Sequence, residues 1–247
     1  MRNISLLPIY FRDPSRGSFV TVKKRLTLND KTVEKSFWKD SWDEGGYKTS
    51  FHKLDVHAYL FKHLPPPKLS NKKVLIPLCG KSVDLIYFRE YAAQVIGVEF
   101  IHKAVNQFFE EQKLPFTKAG NFFLADKLTI INSDFFNVSV DDIGHIDLIY
   151  DRACLVALPP QLRFRYIQKI EELLPMGSQQ FINTLEYFPT KLEPPFSIPP
   201  TQVRDYYGYS HHIEHVESEN VENHGLKRAW GLDYVKEHGF LATKNHI

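Results

Sequence analysis

From residue 73 onward the chain switches between two hydrophobic periods. "KVLIPL" is a continuous apolar run of strand length, and "SVDLIYFREYAAQ" behind it carries apolar residues at helical spacing. The alternation repeats with "VIGVEF" and then "KAVNQFFEEQK". "LTIINSDF" and "IDLIYDRA" read as the third and fourth strands. "PPQLRFRYIQKIEELL" is an amphipathic helix whose prolines stand at its start, where a missing N–H costs least. "QQFINTLEY" is a fifth strand, and a late pair around "HHIEHVES" and "LDYVKEHGFLAT" predicts two edge strands. Seven strands separated by helices predict a doubly wound, mostly parallel α/β sheet of Rossmann-like type, covered on both faces.

Ahead of the sheet, "FWKDSW" lies in a helical stretch that begins near Ser36. "LDVHAYLFKHL" is a second helix, stopped by "PPP" at 65–67. Residues 1–35 are basic and lack long periodic runs. They read as a variable, partly disordered extension, leaving 36–247 as a single domain.

Composition narrows the function classes. With 43% apolar residues in 247, the chain can bury a large core. A formal charge of +2 offers no dominant basic field for nucleic acid. Two cysteines make no disulfide framework and point to a reducing compartment, so the cytoplasm is the expected location. No apolar run approaches the ~18 residues that span a bilayer, so no membrane partner is expected. The first residues are too interrupted for a secretory signal, although their basic, serine-containing character is compatible with a mitochondrial presequence.

Candidate chemistry centres on "VLIPLCGKSVDL", residues 74–85. A triphosphate-binding loop needs glycine five residues before Gly80, where Leu75 stands. A dinucleotide fingerprint needs glycines at Ser82 and Leu85. Both fail. In doubly wound sheets ligands sit outside the carboxyl ends of the strands, so this first loop is still the place to look. Glu99 closes the second strand about twenty residues on, where a carboxylate accepts hydrogen bonds from ribose hydroxyls. Asp134, at the end of the third strand, is one step along the same edge and within reach of an adenine amino group. Polar residues for adenine and ribose without phosphate machinery suggest S-adenosylmethionine.

The series of motifs resembles the thiopurine S-methyltransferase family of class I methyltransferases over roughly residues 37–243. It comprises the two tryptophans and "FH" of the N-terminal region, "PLCGK", "GVE", "YDRACLVALPP", "TLEY", "PPF" and "WGLD" in order. Against the family's glycine-rich loop, Leu78 and Ser82 occupy the flanking glycine positions. "DEGGYKTS" is about two residues longer than the usual spacing between Trp42 and Phe51. The resemblance implies S-adenosyl-L-methionine as cofactor and a monomer that methylates a small-molecule thiol, selenium or tellurium acceptor. It implies an N-terminal helical lid bringing Trp42 to the cofactor, Leu78 and Gly80 beside its methionine part, and Glu99 on the ribose. Asp134 and Phe135 would border the adenine. Arg152 would stand at the junction of cofactor and acceptor, with Phe51, Pro195 and Phe196 walling the acceptor pocket. Arg152 would favour and orient a bound thiolate. Its neighbour Asp151 would orient that arginine or take a proton from a neutral thiol.

Other candidates read more plainly. Cys79 is a small loop-packing residue, and Cys154 faces the core. His52 is a candidate base. His211 and His215 share a strand face, but with no further ligand evident no metal site is expected. Two rival functions stay in view. Nucleic-acid methylation lacks an Asn/Asp-Pro-Pro-aromatic element where "DRAC" stands, and a cofactor-binding module without turnover keeps the pocket motifs but not the chemistry.

Overall fold

The computed structural model describes residues 10–12, 19–21, 28–49 and 53–245. It divides into two compact units, Met1–Gly45 and Gly46–Ile247. In the first, strands β1 (Tyr10–Arg12) and β2 (Phe19–Thr21) pair antiparallel, and helix α1 spans Leu28–Glu44. The helix begins earlier than Ser36.

The second unit opens with a 3₁₀ turn, Gly46–Thr49. Then follow α2 (Ala58–His63), α3 (Pro66–Leu69), β3 (Lys73–Ile76), α4 (Asp84–Tyr91), β4 (Gln94–Val98) and α5 (His102–Glu111). Next come β5 (Thr117–Ala119), β6 (Phe122–Ala125), β7 (Leu128–Ile131), α6 (Val140–Ile143), β8 (Leu148–Arg152) and α7 (Cys154–Ala157). The chain ends with α8 (Pro160–Leu173), β9 (Gln179–Phe188), α9 (Pro200–Tyr207), β10 (His211–Asn220), α10 (Gly225–Trp230) and β11 (Tyr234–Lys244). Helix α2 is shorter than its apolar pattern because His57 caps it: its Nδ1 accepts the Tyr59 N–H at 3.2 Å.

The sheet has nine strands, not the seven expected, in the order β10-β11-β9-β8-β3-β4-β7-β6-β5. The two extra strands are the β5–β6 hairpin, Lys118 opposite Phe123, turned at Gly120 with φ +61°. The three residues of β5 are all exposed, so no apolar run marks them; the signal was the Gly120-Asn121 pair itself. β11 lies between β9 and β10, so only one of the late pair is an edge.

The strands β9, β8, β3, β4 and β7 run parallel and form the doubly wound core that the pattern predicted. α2 to α5 cover one face, where Leu60, Leu85, Phe88 and Phe108 are buried against Val74 and Tyr150. α6 to α9 cover the other, with Leu155, Tyr166, Ile170 and Tyr207 against Leu75 and Ile182. Chain order reverses between β3 and β8, so the cleft at their carboxyl ends is where such folds bind ligands. No helix of the described residues is long and apolar enough to cross a membrane.

Candidate functional site

The loop after β3 makes its turn with two left-handed residues, Leu78 at φ 46° and Gly80 at φ 53°. The leucine keeps a conformation that glycine adopts freely, at a cost of ~1–2 kcal/mol. Strain of this kind clusters where backbone must approach a ligand. The loop is tied to the neighbouring strand, since the Cys79 N–H donates to the Val98 carbonyl at 3.0 Å. It packs so closely on β4 that a Cβ on Gly97 would lie 2.8 Å from Cys79 Sγ.

Glu99 braces this turn. Its Oε2 accepts the Gly80 N–H at 2.9 Å and its Oε1 the Ile101 N–H at 2.7 Å. Burial pushes its carboxyl up to about 7, against the pull of those N–H groups. Sequence reasoning placed Glu99 at the ligand but missed that it first holds the loop. Asp134 caps the 3₁₀ turn Phe135–Asn137, its Oδ1 accepting the Phe136 N–H at 3.1 Å. The Phe135 ring is buried, 5.4 Å from that of Tyr166, so it belongs to the core and only its backbone can serve the strand edge.

Asp151 and Arg152 are adjacent on β8, so their side chains leave opposite faces of the sheet. This separates the roles expected for them. The Asp151 carboxylate is fully buried and accepts from the Tyr166 hydroxyl at 2.8 Å, the Cys154 N–H at 3.0 Å and Gln180 Nε2 at 3.3 Å. Burial raises it to about 6, and its partners are those of a core acid. The acid that holds Arg152 is Asp84, which the sequence reading passed over. Arg152 Nη1 donates to Asp84 Oδ2 at 2.9 Å and lies 3.5 Å from Ser82 Oγ on the cofactor-type loop. Asp84 also accepts from the Tyr150 hydroxyl at 3.1 Å and the His57 N–H at 2.9 Å, with no exposed surface.

Beside Arg152 the sheet brings in residues no local pattern marked. Asn183 stands opposite it in register on β9, and its Nδ2 donates to Glu237 Oε1 of β11 at 3.0 Å. His57 Nε2 reaches the same oxygen at 2.8 Å. Pro195 and Phe196 are fastened over the neighbouring turn: the Tyr187 hydroxyl donates to the Pro195 carbonyl at 2.6 Å, and the Phe196 N–H to the Val156 carbonyl of α7 at 2.7 Å. The Arg163 guanidinium lies over the Phe196 ring at 5.1 Å. Phe51 and His52 lie outside the described residues, and Trp42 belongs to α1 of the first unit.

Both cysteines are buried, and burial pushes both thiols well above their ordinary range, which leaves them protonated at neutral pH. His211 and His215 do not converge. His211 Nδ1 sits 2.9 Å from Ser210 Oγ, whereas His215 Nε2 faces His238 Nδ1 at 3.2 Å. Among the described residues no group of three or more His, Cys, Asp or Glu side chains could hold a metal ion.

Sheet order, loop and strand-end carboxylate define the class I methyltransferase type of fold, and solved structures agree. *Burkholderia thailandensis* 1,6-didemethyltoxoflavin-N1-methyltransferase, solved with 1,6-didemethyltoxoflavin and S-adenosylhomocysteine, superimposes at TM-score 0.62 and 17% identity, over 91% of this chain and 94% of that one. Magnesium protoporphyrin IX methyltransferase from *Synechocystis* PCC 6803, solved with its bound SAM, gives 0.59 at 14% identity, over 90% and 100%. Sequence narrows the class. The model of the thiopurine S-methyltransferase family matches residues 33–245. The thiopurine S-methyltransferase of *Pseudomonas fluorescens* SBW25 is 36% identical over 195 residues, 76% of this chain and 88% of that protein. That of *Pseudomonas syringae* pv. tomato DC3000 is 39% identical over 171 residues, 67% and 77%. The chain belongs to the thiopurine S-methyltransferase family.

Proposed function

We propose that this protein transfers the methyl group of S-adenosyl-L-methionine to a thiol or related selenium or tellurium acceptor of small size. The observation that carries the reading is the Glu99–Gly80 brace at the sheet's switch point, in a chain that belongs to this family along nearly its whole length. The brace fits a nucleoside. An ionised carboxylate has about four lone-pair sites, and Gly80 and Ile101 use two, leaving acceptors for ribose hydroxyls. Leu78 and Gly80 line the methionine part, and Asp134 and the Phe135 backbone border the adenine. When bound, the cofactor supplies an electrophilic methyl on a sulfonium.

Arg152 orients the acceptor. All its hydrogen bonds among the described residues run through Nη1, so Nε and Nη2 remain to point at a sulfur or a ring substituent. Pro195 and Phe196 wall the pocket, and alignment of the two reactants can supply ~7–11 kcal/mol of barrier reduction. Asp151 supports this edge from beneath, through the turn to Cys154. The enzyme acts as a cytoplasmic monomer, with residues 36–247 as its methyltransferase domain and 1–35 as a variable extension. Methyl transfer from labelled S-adenosylmethionine to a thiol panel, beside oligonucleotide retention at two salt concentrations, tests the reading. Product from a thiol with no retained oligonucleotide is expected; methylated nucleic acid with unreacted thiols would overturn it.

A further inference from the structure

The charges around Arg152 do not suit a site that waits for a preformed thiolate. Its guanidinium is already paired with the fully buried Asp84. A second carboxylate, Glu237, stands on the same face of the sheet, joined to Arg152's strand through Asn183. An anion brought here meets one compensated cation and one further negative charge.

Glu237 is held by one oxygen only. Both Asn183 Nδ2 and His57 Nε2 meet Oε1, and Oε2 makes no hydrogen bond among the described residues. The tautomer of His57 follows from its cap. Nδ1 accepts the Tyr59 N–H, so in the neutral ring the proton sits on Nε2 and is donated to Glu237. The imidazole therefore steadies the carboxylate and has no free nitrogen with which to act as a base itself. In register Glu237 lies opposite Leu185, two residues beyond Asn183 along β9, hence past the carboxyl edge where Arg152 ends its strand. About a quarter of the side chain is exposed.

We propose that Glu237 is the proton acceptor for acceptors that arrive as neutral thiols or selenols, its Oε2 taking the S–H or Se–H proton. This rests on the methyltransferase reading above. The S–H bond breaks toward Oε2, and the sulfur pair is left to form the new bond to the methyl carbon, whose bond to the cofactor's sulfonium breaks with its electrons. A thioether and S-adenosylhomocysteine result, and the glutamic acid returns its proton to water. His57, Asn183 and the charge of Arg152 hold the Glu237 carboxyl below its ordinary range, so it is ionised and ready at neutral pH. The other charged or titratable groups facing this region include Glu217 and Glu219 on β10, His238 on β11, Tyr150 on β8, Tyr59 on α2, Lys53 and, ahead of α10, His224. Glu217 is itself held by Lys62 and His63.

The test compares benzyl mercaptan, a thiol at neutral pH, with pentafluorothiophenol, a thiolate there. By calorimetry without the methyl donor, Glu237→Gln is expected to weaken binding of the first, which loses its S–H···Oε2 bond, and to tighten the second, which loses a repulsion. In turnover kcat/KM for benzyl mercaptan is expected to fall at least about 100-fold, and for the thiolate to stay within about threefold. Affinities that move together or not at all, or equal losses of rate on both thiols in an active enzyme, would overturn the assignment of Glu237 alone. A wild type that methylates neither thiol would overturn the reading of the activity, while the binding arm still judges Glu237. If the variant fails to fold, the wild type's pH profile decides. A flat kcat/KM for benzyl mercaptan between pH 6 and 8 supports Glu237, and a rise of about tenfold per pH unit overturns it.

Discussion

The two halves of the cleft are built by different means. The half proposed for the cofactor, over β3, β4 and β7, is made of backbone: two left-handed residues, a strand-end carboxylate that ties them down, and a capped 3₁₀ turn. The half proposed for the acceptor, over β8, β9 and β11, is made of groups drawn from 57, 84, 152, 183 and 237 and joined by hydrogen bonds. Backbone geometry tolerates changes of residue that preserve the turn, as Leu78 in a glycine position shows. A network of buried charges does not, since each member removed strands its partner.

The largest effect is therefore expected in the acceptor half. Asp84→Ala leaves the Arg152 charge, the Tyr150 hydroxyl and the His57 N–H unpaired, and should cost ~3–5 kcal/mol of stability by denaturant unfolding. A loss under about 1 kcal/mol would mean that the network is not what holds this half. In the cofactor half, Gly97→Ala pushes a methyl to within 2.8 Å of Cys79 Sγ. Overpacking of that kind costs ~1–3 kcal/mol, and the loop's displacement should show as weaker S-adenosylhomocysteine binding by calorimetry, with acceptor KM little changed. A loss confined to acceptor binding would contradict the division into halves.

Glu99→Ala removes both the brace and the proposed ribose contacts. Cofactor affinity should fall at least ~10-fold, about 1.4 kcal/mol, in a protein whose melting temperature is changed modestly because the burial cost of the carboxylate is removed too. Unchanged affinity would take Glu99 out of the site.

The smallest effect is in pH. With its folded value raised to about 7, Glu99 contributes stability that is full below its ordinary value near 4.5 and lost as pH rises through about 7. Ribose hydroxyls favour the ionised form, so affinity runs the other way. S-adenosylhomocysteine should bind up to about tenfold more tightly at pH 8 than at pH 6, the ratio of ionised fractions, and Glu99→Gln should flatten that slope.

The same contrast explains what could be read in advance. The parallel core, its flanking helices, the loop at Gly80 and the strand-end positions of Glu99, Asp134 and Arg152 follow from runs of apolar residues and from spacing within a few tens of residues. These are local properties, because a strand or helix must bury its apolar side whatever surrounds it. In the β5–β6 hairpin, β5 escaped because an exposed three-residue strand has no apolar face to announce it, and the apolar run of β6 is only four residues long. Asp151 looked like the partner of Arg152 because it is next in the chain, yet strand alternation sends adjacent side chains to opposite faces, so tertiary structure gave that place to Asp84. The pairing of His57 with Glu237, 180 positions apart, depends on sheet order and register, which no local pattern carries. Sequence by itself determined the sheet's core and the half of the cleft made from neighbouring backbone. Only the folded sheet decided which distant charges would meet, because burial makes a charge depend on its partners across the whole molecule.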